Sequence, residues 1–147
     1  MFDVICCRLS QDVTLIGRAK EKVQFFLDSL KHKGLISRIH ARIFKCKSQT
    51  GQDVFKICDT SLNGTFVNDV KILNEALLKP GDSVSFGHLQ GAVLQAGNRY
   101  SQPNSEFRFK VQYSINLTTD YKLLILVISL GLLFFKWTLC RFNNCNK

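Results

Sequence analysis

Apolar and polar residues alternate along most of the chain up to Tyr113, in short runs closed by turn residues. Phe2-Asp3-Val4-Ile5-Cys6-Cys7-Arg8-Leu9 predicts a first strand, stopped by Ser10-Gln11-Asp12. Val13-Thr14-Leu15-Ile16 predicts a second that ends on Gly17-Arg18, where the glycine permits an unusual backbone angle. Val23-Gln24-Phe25-Phe26-Leu27 fits a strand or a helical turn equally, because so short an apolar run has no decisive period. His40 to Lys47 and Asp53 to Asp59 alternate about Ser48-Gln49-Thr50-Gly51-Gln52, the pattern of a hairpin. Thr65-Phe66-Val67 and Val70-Lys71-Ile72-Leu73 read as short strands about the polar pair Asn68-Asp69. Ser83-Val84-Ser85-Phe86, Ala92-Val93-Leu94 and Phe107 to Tyr113 complete the series, with Asn63-Gly64 and Pro80-Gly81-Asp82 as turns. Short strands at roughly 8–12-residue spacing, with no long amphipathic helix before residue 120, predict an all-β sandwich or barrel.

The pattern changes near the C-terminus. Leu123-Leu124-Ile125-Leu126-Val127-Ile128-Ser129-Leu130-Gly131-Leu132-Leu133-Phe134-Phe135 carries no charge and no polar alternation. As a helix this core spans ~20 Å against ~30 Å of hydrocarbon, and running on through Lys136 to Cys140 supplies the missing length. Tyr121 and Trp137 stand where interfacial aromatics belong. The expectation is therefore a folded unit over 1–116 and a hydrophobic C-terminal segment over 117–147, with a candidate transmembrane helix at 121–140. A buried helix packed on the sandwich is the competing reading.

Composition sharpens the picture in two respects. The formal charge of +9 points to an anionic partner, although the lysines are scattered rather than clustered with aromatics. Direct nucleic-acid binding, which needs stacking platforms and a basic groove, is accordingly not expected. The six cysteines form no C-x-x-C pair and no zinc-ligand spacing with the three histidines, so no metal and no cofactor is expected. The N-terminus lacks the long apolar core of a secretory signal, with Asp3 and Arg8 in its place, which implies an intracellular location and free thiols.

Three loop stretches carry the candidate chemistry: Gly17-Arg18, Ser37-Arg38-Ile39-His40, and Ser61-Leu62-Asn63-Gly64-Thr65. Each enters or leaves a strand, and alternate loops of a sandwich gather at one end. Two guanidiniums, a serine hydroxyl and an asparagine amide would then face one small volume. Arginine forks bind phosphate oxygens through charge-assisted hydrogen bonds, worth about 1.5–3 kcal/mol each where solvent is excluded. The asparagine amide both donates and accepts, which suits the backbone of an extended peptide. No nucleophile has a partnered base at motif spacing, so the chain reads as a non-enzyme.

These stretches, in this order and spacing, resemble the signature of the forkhead-associated (FHA) domain, a phosphothreonine-peptide-binding β-sandwich. Asn68 and Leu78-Lys79-Pro80-Gly81-Asp82-Ser83-Val84-Ser85-Phe86-Gly87 resemble its remaining motifs. Within the family, Gly34-Leu35-Ile36-Ser37-Arg38-Ile39-His40-Ala41 is similar to the FHA domain of the transcription factor nineteen proteins.

The resemblance implies an FHA-type sandwich of two mainly antiparallel sheets. Arg18, Ser37 and Arg38 would cradle the phosphate and Asn63 would hold the peptide main chain. Gly17, His40, Gly64, Thr65 and Asn68 would support the site, His40 by bracing the loop that carries Ser37. Leu62 stands where the family often has a small polar residue. The implied function is a phosphothreonine-dependent adaptor in phosphorylation signalling or in transcription and cell-cycle regulation, its partner a phosphothreonine-containing protein. It would sit in the nucleus, or be anchored by its C-terminal segment with the domain facing cytosol or nucleoplasm. The alternative is an FHA scaffold that binds partners without phosphate.

Overall fold

A computed structural model describes residues 6–8, 12–115 and 121–127. The described chain is nearly all β: β1 (Cys6–Arg8), β2 (Val13–Gly17), β3 (Phe25–Phe26), β4 (Ala41–Lys47), β5 (Asp53–Asp59), β6 (Thr65–Val67), β7 (Val70–Lys71), β8 (Glu75–Leu78), β9 (Ser83–Phe86), a 3-10 turn (Gly91–Val93), β10 (Arg108–Ile115) and β11 (Tyr121–Val127). One sheet runs β3-β2-β4-β5-β8, the other β1-β11-β10-β9-β6-β7. All pairings are antiparallel except the short β2–β3 contact. This is the sandwich that the alternation predicted.

The inward positions of the two sheets make one core. Ile16, Ile43, Ile57 and Leu78 come from the first sheet, and Val84, Phe86, Phe109 and Val111 from the second. Each such side chain contributes about 1.5–3 kcal/mol on burial. Edge-to-face rings knit the layer, with Phe86 against Phe109 at 5.6 Å and Phe25 against Phe109 at 5.4 Å. Register fixes which residues face inward: Thr14, Ile43, Ile57 and Ala76 lie opposite one another across four strands. A slip by one residue would turn that row to solvent.

Four elements resolve, extend or overturn the sequence reading. The ambiguous run at 23–27 contributes a two-residue strand, Phe25–Phe26, because it zips in parallel onto the end of β2. Ala92-Val93-Leu94 is not a strand. It belongs to a 3-10 turn whose Gly91 and Leu94 carbonyls accept hydrogen bonds from Lys71 Nζ, both at 2.9 Å. Glu75–Leu78 is an additional edge strand beside β5, in a run of good helix formers that pairing and the Lys56–Glu75 ion pair hold extended.

The fourth difference is the largest. The helix expected from residue 121 does not begin there: Tyr121–Val127 is strand β11, lying between β1 and β10 with seven register pairs to β10. A short continuous apolar run fits a strand and a helix segment alike, so Leu123 to Val127 cannot be told by pattern from the start of a membrane helix. No helix among the described residues is long and apolar enough to cross a membrane. The rest of the expected span, 128–140, lies outside the described residues.

Candidate functional site

The three motif stretches meet at one end of the sandwich. Gly17 ends β2 directly against the Ser37-Arg38 backbone: Arg18 N–H donates to the Ser37 carbonyl and Ala19 N–H to that of Arg38, both at 3.1 Å. A Cβ at Gly17 would lie 2.3 Å from the Arg38 oxygen. Its backbone is not in the left-handed region. Gly17 is therefore required for close approach, not for the unusual backbone angle expected of it.

His40 ties the second stretch to the third. It is wholly buried. Its Nδ1 accepts from the Ser37 N–H at 3.1 Å, so the ring proton sits on Nε2, which donates to the Gly64 carbonyl at 3.1 Å. Burial pushes its pKa below the ordinary 6.5, opposed by the Gly64 hydrogen bond and the charge of Asp59. With both nitrogens held, His40 has the bracing position the family resemblance implies.

Two further links join these loops. Leu62 N–H donates to Ser37 Oγ at 3.1 Å, and Asn63 Nδ2 donates to the Gly34 and Leu35 carbonyls, both at 3.0 Å. Gly64 takes a φ of +80° and its carbonyl also accepts from Gly87 N–H, which lets the turn pack against the end of β9. A hub that sequence reading did not single out lies just upstream. Asp59 Oδ1 accepts from Ser61 N–H, Ser61 Oγ and Thr65 Oγ1, and Thr60 Oγ1 donates back to the Ile39 and His40 carbonyls. The signal for it was present, an aspartate two residues before a serine at a strand end, which is the setting of an Asx turn.

Above this frame lies an open depression of about 650 Å³, lined by Arg18, Lys22, Gly34, Ile36, Ser37, Arg38, Ile39 and Leu62. Arg18 and Arg38 are exposed, and neither side chain is ion-paired with a described residue. Ser37 Oγ accepts from within the protein, which leaves its hydroxyl proton to donate outward. Arg18, Ser37 and Arg38 thus converge as the motifs suggested. Asn63 does not line the depression. Both amide hydrogens support the 34–35 backbone, and its Oδ1 is the group left to accept. Leu62, 69% exposed, takes the lining place. Asn68 lies further off, at the tip of the β6–β7 hairpin, where it bonds Asp82 and Ser83.

The chain belongs to the FHA family: the FHA domain model matches residues 14–87. A relative, germ layers disorganized gldi-3 of Caenorhabditis elegans, is 35% identical over 113 residues, which span 73% of this chain and 12% of that protein. Among solved structures, the Slr1951 protein of Synechocystis sp. is similar at 27% identity, covering 54% of this chain and 76% of its own, with a TM-score of 0.45. The MEK1 FHA domain, solved in complex with a HOP1 pThr318 peptide, is similar at 21% identity, covering 58% of this chain and 90% of its own, with a TM-score of 0.45.

Proposed function

We propose that this chain is an adaptor that binds a partner protein through a phosphorylated threonine. The observation that carries the reading is the convergence of two guanidiniums not ion-paired with any described residue, Arg18 and Arg38, with the Ser37 hydroxyl in one open depression on a frame cross-linked by backbone and buried histidine bonds. A phosphate adds about −1.5 to −2 charge and three acceptor oxygens, and this donor set matches both. Arg18 and Arg38 take phosphate oxygens, Ser37 donates to a third, and Asn63 offers Oδ1 to a peptide N–H while holding the 34–35 segment in place. The reading is of a binding module rather than a catalyst. His40, which braces the depression's loops, has both nitrogens engaged with the backbone and cannot act as a base without breaking the frame.

The test is a titration of the full chain and its Arg18→Ala variant with a phosphothreonine peptide and its unphosphorylated form. Arg18→Ala should lose at least about tenfold in affinity, since one charge-assisted pair to phosphate is worth about 1.5–3 kcal/mol. Its thermal midpoint should be unchanged, because no described group depends on that side chain. Equal binding of both peptide forms by the unaltered chain would defeat the reading and favour a scaffold indifferent to phosphate, for which the exposed Leu62 would be the natural contact.

A further inference from the structure

The depression holds one cation more than a single phosphate requires. Lys22 lines it beside Arg18 and Arg38, and none of the three is ion-paired with a described residue. Three positive charges against the −1.5 to −2 of one phosphate leave a surplus of about one. The stretch of chain that supplies all three is itself basic: residues 18–40 contain six cations (Arg18, Lys20, Lys22, Lys31, Lys33, Arg38) and two carboxylates (Glu21, Asp28), a net +4 within a chain of +9.

Lys22 is also held in place, unlike an ordinary surface lysine. Its N–H donates to the Ala19 carbonyl at 2.8 Å, closing a turn. That turn is pinned upstream by Ala19, buried and bonded to the Arg38 carbonyl. Downstream, Gln24 exchanges hydrogen bonds with Leu15 through its own N–H and its side-chain Oε1. A cation carried on a fixed turn at the rim loses little backbone freedom when it binds.

We propose that Lys22 is a specificity residue that reads a second anionic group, carboxylate or phosphate, on the same peptide close to the phosphothreonine. The proposal rests on the phosphothreonine reading and adds a partner class: an acidic or multiply phosphorylated segment. Arg18, Ser37 and Arg38 hold the first phosphate, and Lys22 meets the neighbouring charge.

Four peptides titrated into the full chain and its Lys22→Ala variant test this. One carries phosphothreonine in an alanine and glycine background, a second adds glutamates on both sides, a third adds a second phosphothreonine, and a fourth is the glutamate peptide without phosphate. The unaltered chain should bind the second or third about three- to tenfold more tightly than the first, the range of an exposed but positioned charge pair. Lys22→Ala should erase that gain, so that the variant binds the first three peptides with equal affinity. A gain confined to the third peptide assigns the second anion as phosphate, and a comparable gain with glutamate assigns it as a carboxylate. Equal affinity for the first three peptides, or a gain that survives in Lys22→Ala, overturns the proposal. No binding of the first peptide, or undiminished binding of the fourth, overturns the phosphothreonine reading and this proposal with it.

Discussion

His40 holds two loops together only as the neutral imidazole, because Nδ1 must accept from Ser37 while Nε2–H donates to Gly64. Protonation would set two N–H groups against each other. The direction of its pKa gives the sign of the consequence. The unfolded chain takes up the proton near the ordinary 6.5, and the folded chain only at lower pH. Stability from this residue is therefore full above about pH 6.5 and declines as the pH falls toward the folded value. Urea unfolding should show a lower midpoint at about pH 5.5 than at about pH 7.5, with a smaller acid loss in His40→Gln. At Gly17 the constraint is steric. Gly17→Ala would drive a methyl into the Arg38 carbonyl, so the β2 end and the Ser37-Arg38 loop must separate. A loss of about 1–3 kcal/mol in stability is expected from such overpacking, together with weakened phosphopeptide binding. Unaltered binding in that variant would show that the loop positions are not coupled.

At the scale of elements, the β6–β7 hairpin separates support of the fold from support of the site. Its two turn residues, Asn68 and Asp69, take φ of 51° and 66°, the mirror-image turn that matches strand twist. Asn68 also fastens the hairpin to the Asp82-Ser83 turn through both ends of its amide. Asn68→Ala removes those bonds and places a less tolerant residue at positive φ, at an expected cost of about 1–3 kcal/mol. Because this turn lies away from the depression, phosphopeptide affinity measured below the unfolding range should stay within about twofold of the unaltered chain. A site-directed loss there would relocate Asn68 into the binding machinery.

For the whole molecule, β11 changes where the sandwich ends. It supplies β10 with a neighbour along seven residues and gives β1 its only partner among the described strands. A chain cut after residue 116 would leave β10 as a bare edge and β1 unpaired, whereas one cut after 127 keeps both ladders. The shorter piece should unfold at a lower temperature and be cleaved faster by protease than the longer one, which limited proteolysis and thermal melts can compare. Equal stability of the two would mean that β11 adds nothing to the fold.

The sequence by itself determined the sandwich, most of its strands, and the identity of the phosphate-binding candidates. Alternation at β4 and β5 is a direct imprint of one buried face, and Arg18, Ser37 and Arg38 stand in fixed motif spacing. Tertiary structure decided the rest. Whether Leu123 to Val127 lies in a helix or a strand depends on neighbours far away in the chain, which no local period records. Only the folded loops reveal that Asn63 braces Gly34 and Leu35 behind the depression while Lys22 and Leu62 stand at its rim. Those residues carry no periodic signal, and their places follow from backbone hydrogen bonds between segments distant in sequence.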